Sequence, residues 1–145
     1  AGGMGVLDPG INALSILTEV LPTPVHLKSA VLHTPANRQT PIQAEMRFSG
    51  GITASFDWLK EGMQTWEQRF IATDGTTVHL FAGGNRCSVD GIAQTVSELG
   101  EYPALNARMS HLVRTGTSDV DLSPMVHVSD IMTLGRRETA PAFEW

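Results

Sequence analysis

Between Ile42 and Trp58 the chain alternates twice. Ile42, Ala44, Met46 and Phe48 are separated by Gln43, Glu45 and Arg47, and Ile52, Ala54, Phe56 and Trp58 by Thr53, Ser55 and Asp57. Successive side chains of a strand point to opposite faces, so each run predicts a strand with one apolar side. When the two pair, their apolar sides must coincide, because a slip of one residue turns one set toward the other face. A two-residue loop fails that condition. Ser49-Gly50-Gly51 meets it, with a glycine in the left-handed backbone position. Phe48 then stands opposite Ile52, Met46 opposite Ala54, Ala44 opposite Phe56 and Ile42 opposite Trp58. The polar face receives Arg47 with Thr53, Glu45 with Ser55 and Gln43 with Asp57. A chain committed to this hairpin needs other elements to cover one side of it.

One such element lies at the start. Asp8-Pro9-Gly10-Ile11-Asn12 opens a stretch in which Ile11, Leu14, Leu17 and Leu21 fall at helical spacing. Asp8 suits an N-cap and Pro9 the first helical position. Asp8, Asn12, Ser15 and Glu19 form a separate stripe at i, i+4, i+7 and i+11, so the helix has a polar face that begins with a carboxylate and a carboxamide. Leu21-Pro22-Thr23-Pro24 ends it.

The remaining segments fill in an α+β chain. Val25 to His33 predicts a strand, and Thr34 to Thr40 a turn. Trp66–Thr73 and Thr76–Phe81 flank Asp74-Gly75, a type I′ signal that sets Ile71 beside Val78 and Phe70 beside His79. Gly83-Gly84-Asn85 turns into a strand at Arg86–Asp90, and Asp90-Gly91 turns again into one at Ile92–Glu98. Glu101–Arg114 predicts a helix with Leu105, Met109 and Leu112 on one stripe, ending at Gly116. Ser123-Pro124 repeats the cap-and-proline start of a helix striped by Met125, Val128 and Met132, with Gly135 at its C′ position and Arg136 and Arg137 beyond. Thr139–Phe143 closes the chain as a strand. The expected architecture is an open, mainly antiparallel sheet with helices on one face.

Composition narrows the function classes. A chain of 145 residues fits a single domain, and 41% hydrophobic with 17% charged residues is a globular balance. A net charge of −5 offers no basic stripe for nucleic acid, and no apolar run is long enough to cross a bilayer. Cys87 is the one cysteine, so no internal disulfide forms, which fits a cytoplasmic location.

Asp8-Pro9-Gly10-Ile11-Asn12-Ala13 resembles the Asp-x-Gly-x-His signature that opens the C-terminal domain of the GFO/IDH/MocA oxidoreductases, the glucose–fructose oxidoreductase and inositol dehydrogenase group. It is most similar to the D-galactose and L-arabinose 1-dehydrogenase branch, where Asn replaces the His. The resemblance continues through Thr40-Pro41-Ile42, Phe56-Asp57-Trp58, Trp66-Glu67, Ala72-Thr73-Asp74-Gly75 and Glu101-Tyr102-Pro103-Ala104-Leu105, nearly the whole chain. It implies one substrate-binding and oligomerisation domain over residues 1–145, with an N-terminal Rossmann domain that this chain does not contain. Gly3-Met4-Gly5 does not replace that domain, since the third glycine, the preceding strand and the following βαβ unit are all missing.

The activity that this resemblance implies is oxidation of the C1 hydroxyl of a cyclic aldose to a lactone, with NAD or NADP as hydride acceptor, held mainly by the other domain. It implies a catalytic or orienting role for the Asp8 carboxylate, sugar binding by Asn12, and a stacking face at Trp66. The family's usual His serves as a base or electrophile. Asn12 does not titrate, so proton transfer passes elsewhere; in the family a lysine of the N-terminal domain takes part. Plainer readings stand beside these: Asp8 as a cap, Asn12 as a solvated residue, Trp66 as sheet core or dimer contact. Trp58 reads as structural. The partners implied are an aldose and a second copy bound through the sheet face.

Two other readings are a non-catalytic, sugar-sensing relative of the regulator kind and a free-standing dimerisation domain. His26, His33, His79, His111 and His127 lack metal-ligand spacing and read as surface or satisfied core residues. Cys87 reads as inert, and Met109, Met125 and Met132 as core packing.

Overall fold

The computed structural model describes residues 3–63, 65–96 and 100–144. Among the described residues, three α-helices and eight strands follow in the order α1 (Leu7–Val20), β1 (Leu27–Pro35), β2 (Gln43–Phe48), β3 (Thr53–Asp57), β4 (Gln68–Ile71), β5 (Thr77–Phe81), β6 (Arg86–Val89), β7 (Ile92–Gln94), α2 (Glu101–Thr115), α3 (Ser123–Leu134) and β8 (Arg136–Ala140). The class is α+β and mainly antiparallel. The strands form two sheets, where the sequence suggests one, in orders β3-β2-β1-β8 and β4-β5-β6-β7. The chain divides accordingly: Glu61–Val120 makes one compact unit, and the segments flanking it make the other.

In the flanking unit the first hairpin has the register that its apolar pattern demands. Gln43 pairs with Asp57, Ala44 with Phe56, Glu45 with Ser55, Met46 with Ala54 and Arg47 with Thr53. Ser49–Gly51 forms a 3₁₀ turn with Gly50 at φ 71°, and the Phe48 N–H donates to Ile52 O at 2.8 Å. β1 lies antiparallel to β2, and β8 lies parallel to β1. α1 and α3 pack together, and α3 packs on β1. Leu7, Leu14, Leu32, Ile42, Met46 and Ile131 are the largest apolar side chains sealed in the core, joined by Ala44, Phe48 and Val128.

Both proline-led helices begin earlier than their sequences suggest, α1 by two residues and α3 by one. α1 starts at Leu7 with Val6 at the cap position, so Asp8 is a first-turn residue and caps nothing. The chain entering α1 is held from outside the helix: the Val6 N–H donates to Pro41 O at 2.8 Å, with Val6 and Leu7 buried. Gly5 sits at φ +59°, and a Cβ there would lie 2.2 Å from Pro41 O. At α3, Leu122 takes the cap position and Asp121 supplies the acceptor, its Oδ1 taking the Ser123 N–H at 2.9 Å. That contact holds the Asp121 carboxyl below its usual range.

Gly135 at the end of α3 is extended, at φ −65°, and is not left-handed. Its glycine identity follows from crowding: a Cβ would meet Ile131 O at 2.4 Å. The last strand starts at Arg136, three residues earlier than the Thr139 expected, because β8 pairs with β1 straight out of that turn.

In the Glu61–Val120 unit the second hairpin departs from expectation by one residue. Phe70 pairs with Val78 and Ile71 with Thr77. The Ala72 N–H reaches Thr76 O at 2.9 Å, so the loop is Thr73-Asp74-Gly75, with Gly75 at φ +89°. Asp74 Oδ1 takes the Thr76 N–H at 2.9 Å and shapes this longer loop in place of a type I′ turn. The Asp90-Gly91 turn is seen, with positive φ at both residues, 50° and 79°. β7 covers Ile92–Gln94; the expected continuation at Ser97 and Glu98 falls outside the described residues.

α2 ends at left-handed Gly116 as its sequence indicates. No described residue of α2 is buried, and Met109 is 62% exposed. Met125 is also half exposed, because the inward face of α3 consists of Pro124, His127, Val128 and Ile131. A core role for these two methionines is thus overturned. A helical stripe marks a face that favours cover, without specifying what covers it.

Candidate functional site

The Asp8-Pro9-Gly10-Ile11-Asn12 segment forms the first turns of α1, and each residue in it has a physical position to account for. Gly10 is buried, and a Cβ there would stand 2.5 Å from the Phe56 ring of β3. The glycine therefore lets the helix approach the sheet closely, which fixes where the flanking residues emerge. Asp8 and Asn12, on either side of it, are both exposed. Spaced one turn apart, their side chains are neighbours on the helix surface, on the order of 6 Å between Cβ atoms. The Asp8 carboxylate occupies the first turn, where free N–H groups and the helix dipole favour an anion. A carboxylate acceptor beside a carboxamide that both donates and accepts is suited to adjacent hydroxyls of a polyol. Ser15 and Glu19 continue this exposed stripe.

The stripe is thus brought together as the spacing predicts. Trp66 belongs to the Glu61–Val120 unit, in the stretch leading into β4. It is half-buried, and its carbonyl accepts the Gly83 N–H at 3.4 Å. Beside it the fold assembles a pair absent from the sequence reading. His79 Nε2 and Glu67 Oε2 are 2.9 Å apart, with the His79 ring 5.0 Å from that of Phe81. His79 is therefore not a lone surface histidine. The signal that could have revealed it is register. With Phe70 opposite Val78, Glu67 and His79 stand diagonally on the same face, whereas a one-residue slip separates them.

His127 is the other residue the sequence underrates. It is 5% exposed, packs edge-on to Phe48 at 5.2 Å between ring centres, and has an Nδ1 without a hydrogen-bond partner. Burial lowers its pKa, against the opposing charges of Asp130 and Asp121. Among the described residues no group of three or more His, Cys, Asp or Glu could hold a metal ion. No described helix is long and apolar enough to cross a membrane.

A galactose 1-dehydrogenase from Pseudomonas fluorescens is 41% identical to this chain over 145 residues, 97% of the chain and 47% of the relative. The crystal structure of a D-galactose-1-dehydrogenase protein from Rhizobium etli superposes with a TM-score of 0.89 at 42% identity, covering 98% of this chain and 46% of that one. The chain is similar to these two proteins over almost its whole length. It spans about half the length of the relatives it matches. A 3-ketoreductase from Actinomadura kijaniata, solved with TDP-benzene and NADP, shares the fold at a TM-score of 0.72 and 17% identity, over 97% of this chain and 50% of that one. The fold is the α+β C-terminal domain type of the GFO/IDH/MocA oxidoreductases. No family model matches the chain.

Proposed function

We propose that the whole protein carrying this chain is an NAD(P)-dependent aldose 1-dehydrogenase, and that this chain is its substrate-binding and oligomerisation domain. The agreement with the Rhizobium etli protein, in sequence and in backbone over almost the entire chain, carries the reading. Both galactose-enzyme relatives are dehydrogenases, which does not favour a sugar-sensing regulator.

In this reading a nicotinamide nucleotide, when bound, accepts a hydride from C1 of the cyclic sugar, and the product is a lactone. The residues described here do not form a dinucleotide turn. Residues 3–5 run directly into α1, and Gly5 is closed against Pro41. We assign cofactor binding to the part of the relatives that this chain does not span. This chain's contribution is to hold the sugar. The Asp8 carboxylate accepts from the anomeric or a neighbouring hydroxyl and orients it for deprotonation. Asn12 donates to and accepts from the next hydroxyl. A second copy through the sheet face and a cytoplasmic location belong to the same reading.

The test is NAD(P)H formation by the whole protein with D-galactose and L-arabinose. Asp8→Asn is expected to lower kcat by on the order of 10²-fold or more, the usual scale of a lost proton-transfer or orienting group. A folded protein that binds nucleotide but turns over neither sugar with either cofactor would overturn the dehydrogenase assignment. Unchanged turnover in Asp8→Asn would overturn the role of Asp8.

A further inference from the structure

Asp8 stands between two fixed points of α1. Two residues before it, the Val6 N–H donates to Pro41 O at 2.8 Å. Two residues after it, Gly10 lies against the Phe56 ring of β3. A Cβ on Gly10 would meet ring Cε2 at 2.5 Å, Cδ2 at 2.7 Å and Cζ at 3.1 Å. The first contact sets where the helix begins. The second sets how high it rides above the sheet.

The two points are tied to each other. Ile42, next to Pro41, donates its N–H to His33 O and accepts from the Trp58 N–H, both at 3.0 Å. Phe56 pairs with the buried Ala44, and Asp57 with Gln43. Just past the strand, Asp57 Oδ1 takes the Leu59 N–H at 2.8 Å. The backbone is thus held before and after Phe56, so the strand does not back away from the helix. Nor does a swing of the ring's tip clear the contact, because Cδ2 lies near the root of the side chain.

Crowding at this seat has a definite scale. Two carbons settle at about 3.5–4 Å, so a methyl group on Gly10 starts about 1 Å inside contact, and α1 would lift by about that much. Helix propensity favours alanine over glycine, so a loss on adding the methyl group comes from the contact and not from the helix. A displacement of about 1 Å costs on the order of 10²-fold when it moves a group that orients a reacting atom. Asp8 and Asn12 lie on the first turns of the same helix and would move with it.

We infer that Phe56 is a positioning residue for the Asp8–Asn12 pair, its ring setting the height at which both side chains meet the sugar. Phe56 acts through Gly10 and is not a catalytic residue. What the pair holds is a matter of the dehydrogenase reading, on which this role of Phe56 rests.

Steady-state kinetics of the whole protein with D-galactose and L-arabinose, together with crystal structures of the variants, test it. Gly10→Ala is expected to move Asp8 by about 1 Å and to lower kcat/KM for the sugar by roughly ten- to a hundredfold, with nucleotide affinity unchanged. Phe56→Val removes the three ring atoms that touch Gly10, and alone it should raise the sugar KM several-fold. Added to Gly10→Ala, it should recover part of the lost kcat/KM and return Asp8 toward its original place. An Asp8 that stays put in Gly10→Ala would overturn the role of Phe56. So would a double variant no more active than Gly10→Ala, or a loss shared equally by nucleotide affinity. With an active unmodified protein, an indifferent Gly10→Ala overturns this role alone. Absence of sugar turnover in the unmodified protein overturns the dehydrogenase reading and this role with it. If Gly10→Ala does not fold, Phe56→Val decides, since unchanged sugar kcat and KM there are equally fatal.

Discussion

The two units are built from similar sequence patterns and finish differently. The unit flanking Glu61–Val120 encloses Leu7, Leu14, Leu32, Ile42, Met46 and Ile131, all essentially sealed. Glu61–Val120 has two helix turns' worth of apolar stripe and a four-stranded sheet, yet none of its described residues is buried. Ile71 is 73% exposed, and Tyr102, Met109 and Val113 stand open on α2. The difference is one of layers. In the first unit α1 and α3 pack together, α3 lies on β1 and Gly10 of α1 sits against Phe56 of β3, so an apolar face meets another. In the second, apolar positions are present but leave much of their surface to solvent. Patterning specifies that a face seeks cover; it does not specify a partner.

The largest expected effect tests that contrast directly. Ile131→Ala, at a position with 0% exposure, should cost about 2–5 kcal/mol of stability by leaving a cavity. Met109→Ala on α2 should cost about 0.5 kcal/mol or less, as an open surface change does. Urea unfolding of the two variants measures both. Comparable losses would break the comparison and show that α2 is covered in solution.

The same contrast decides what was legible in the sequence. The first hairpin could be read to the residue because both strands alternate fully, so sharing a face leaves one register. The second was read from Asp74-Gly75 alone, a local signal, and came out one residue off. Sharing a face would have corrected it, since it puts Phe70 opposite Val78 as observed. Helix starts failed in one direction for a related reason. Asp8-Pro9 and Ser123-Pro124 both look like a cap and a first turn, but Pro41 O and Asp121 set the actual starts. Asp121 lies two residues from the amide it holds, whereas Pro41 is distant in sequence and invisible to a local pattern. The Asp8–Asn12 face needed only the helical period and was legible. The Glu67–His79 pair needed the right register, and the unpaired His127 needed the packing of α3 on the sheet.

Glycine substitutions sharpen the comparison at the next scale. Gly5 and Gly75 both have positive φ, so alanine strains the backbone at either by about 1 kcal/mol or more. At Gly5 the new Cβ would also strike Pro41 O, whereas at Gly75 nothing lies within 4 Å. Gly5→Ala is expected to destabilise by roughly 2–4 kcal/mol and Gly75→Ala by about 1 kcal/mol, read from the same urea midpoints. Equal losses would mean that the entry to α1 shifts freely, and that Pro41 does not fix where Asp8 emerges.

Acid separates the units by pH window. Burial lowers the pKa of His127 from its ordinary 6.5, so the folded state binds fewer protons there than the unfolded state. Its contribution to stability is whole above about pH 6.5 and declines as pH falls from there toward the folded value. His127→Phe should flatten the fall in stability between about pH 7 and pH 5.

Asp74 acts lower, and the expected effect is the smallest. The Thr76 backbone N–H, then the Thr76 side chain, hold its carboxyl below the ordinary 3.8. Here too the unfolded state binds the proton first, so the turn's contribution is present above pH 3.8 and is lost as pH falls through the lowered folded value. The carboxylate is fully exposed, so water and salt screen it and the loss stays local. Amide exchange at Thr76 is the measurement that isolates it. Protection should weaken below pH 3.8 in the native protein and stay constant in Asp74→Asn, whose side-chain oxygen still accepts but does not titrate. Parallel loss in both proteins would mean that the turn opens with the sheet rather than by protonation of its own carboxylate. The unburied unit would then melt in acid as a whole, which is what the lack of a sealed core makes it most prone to do.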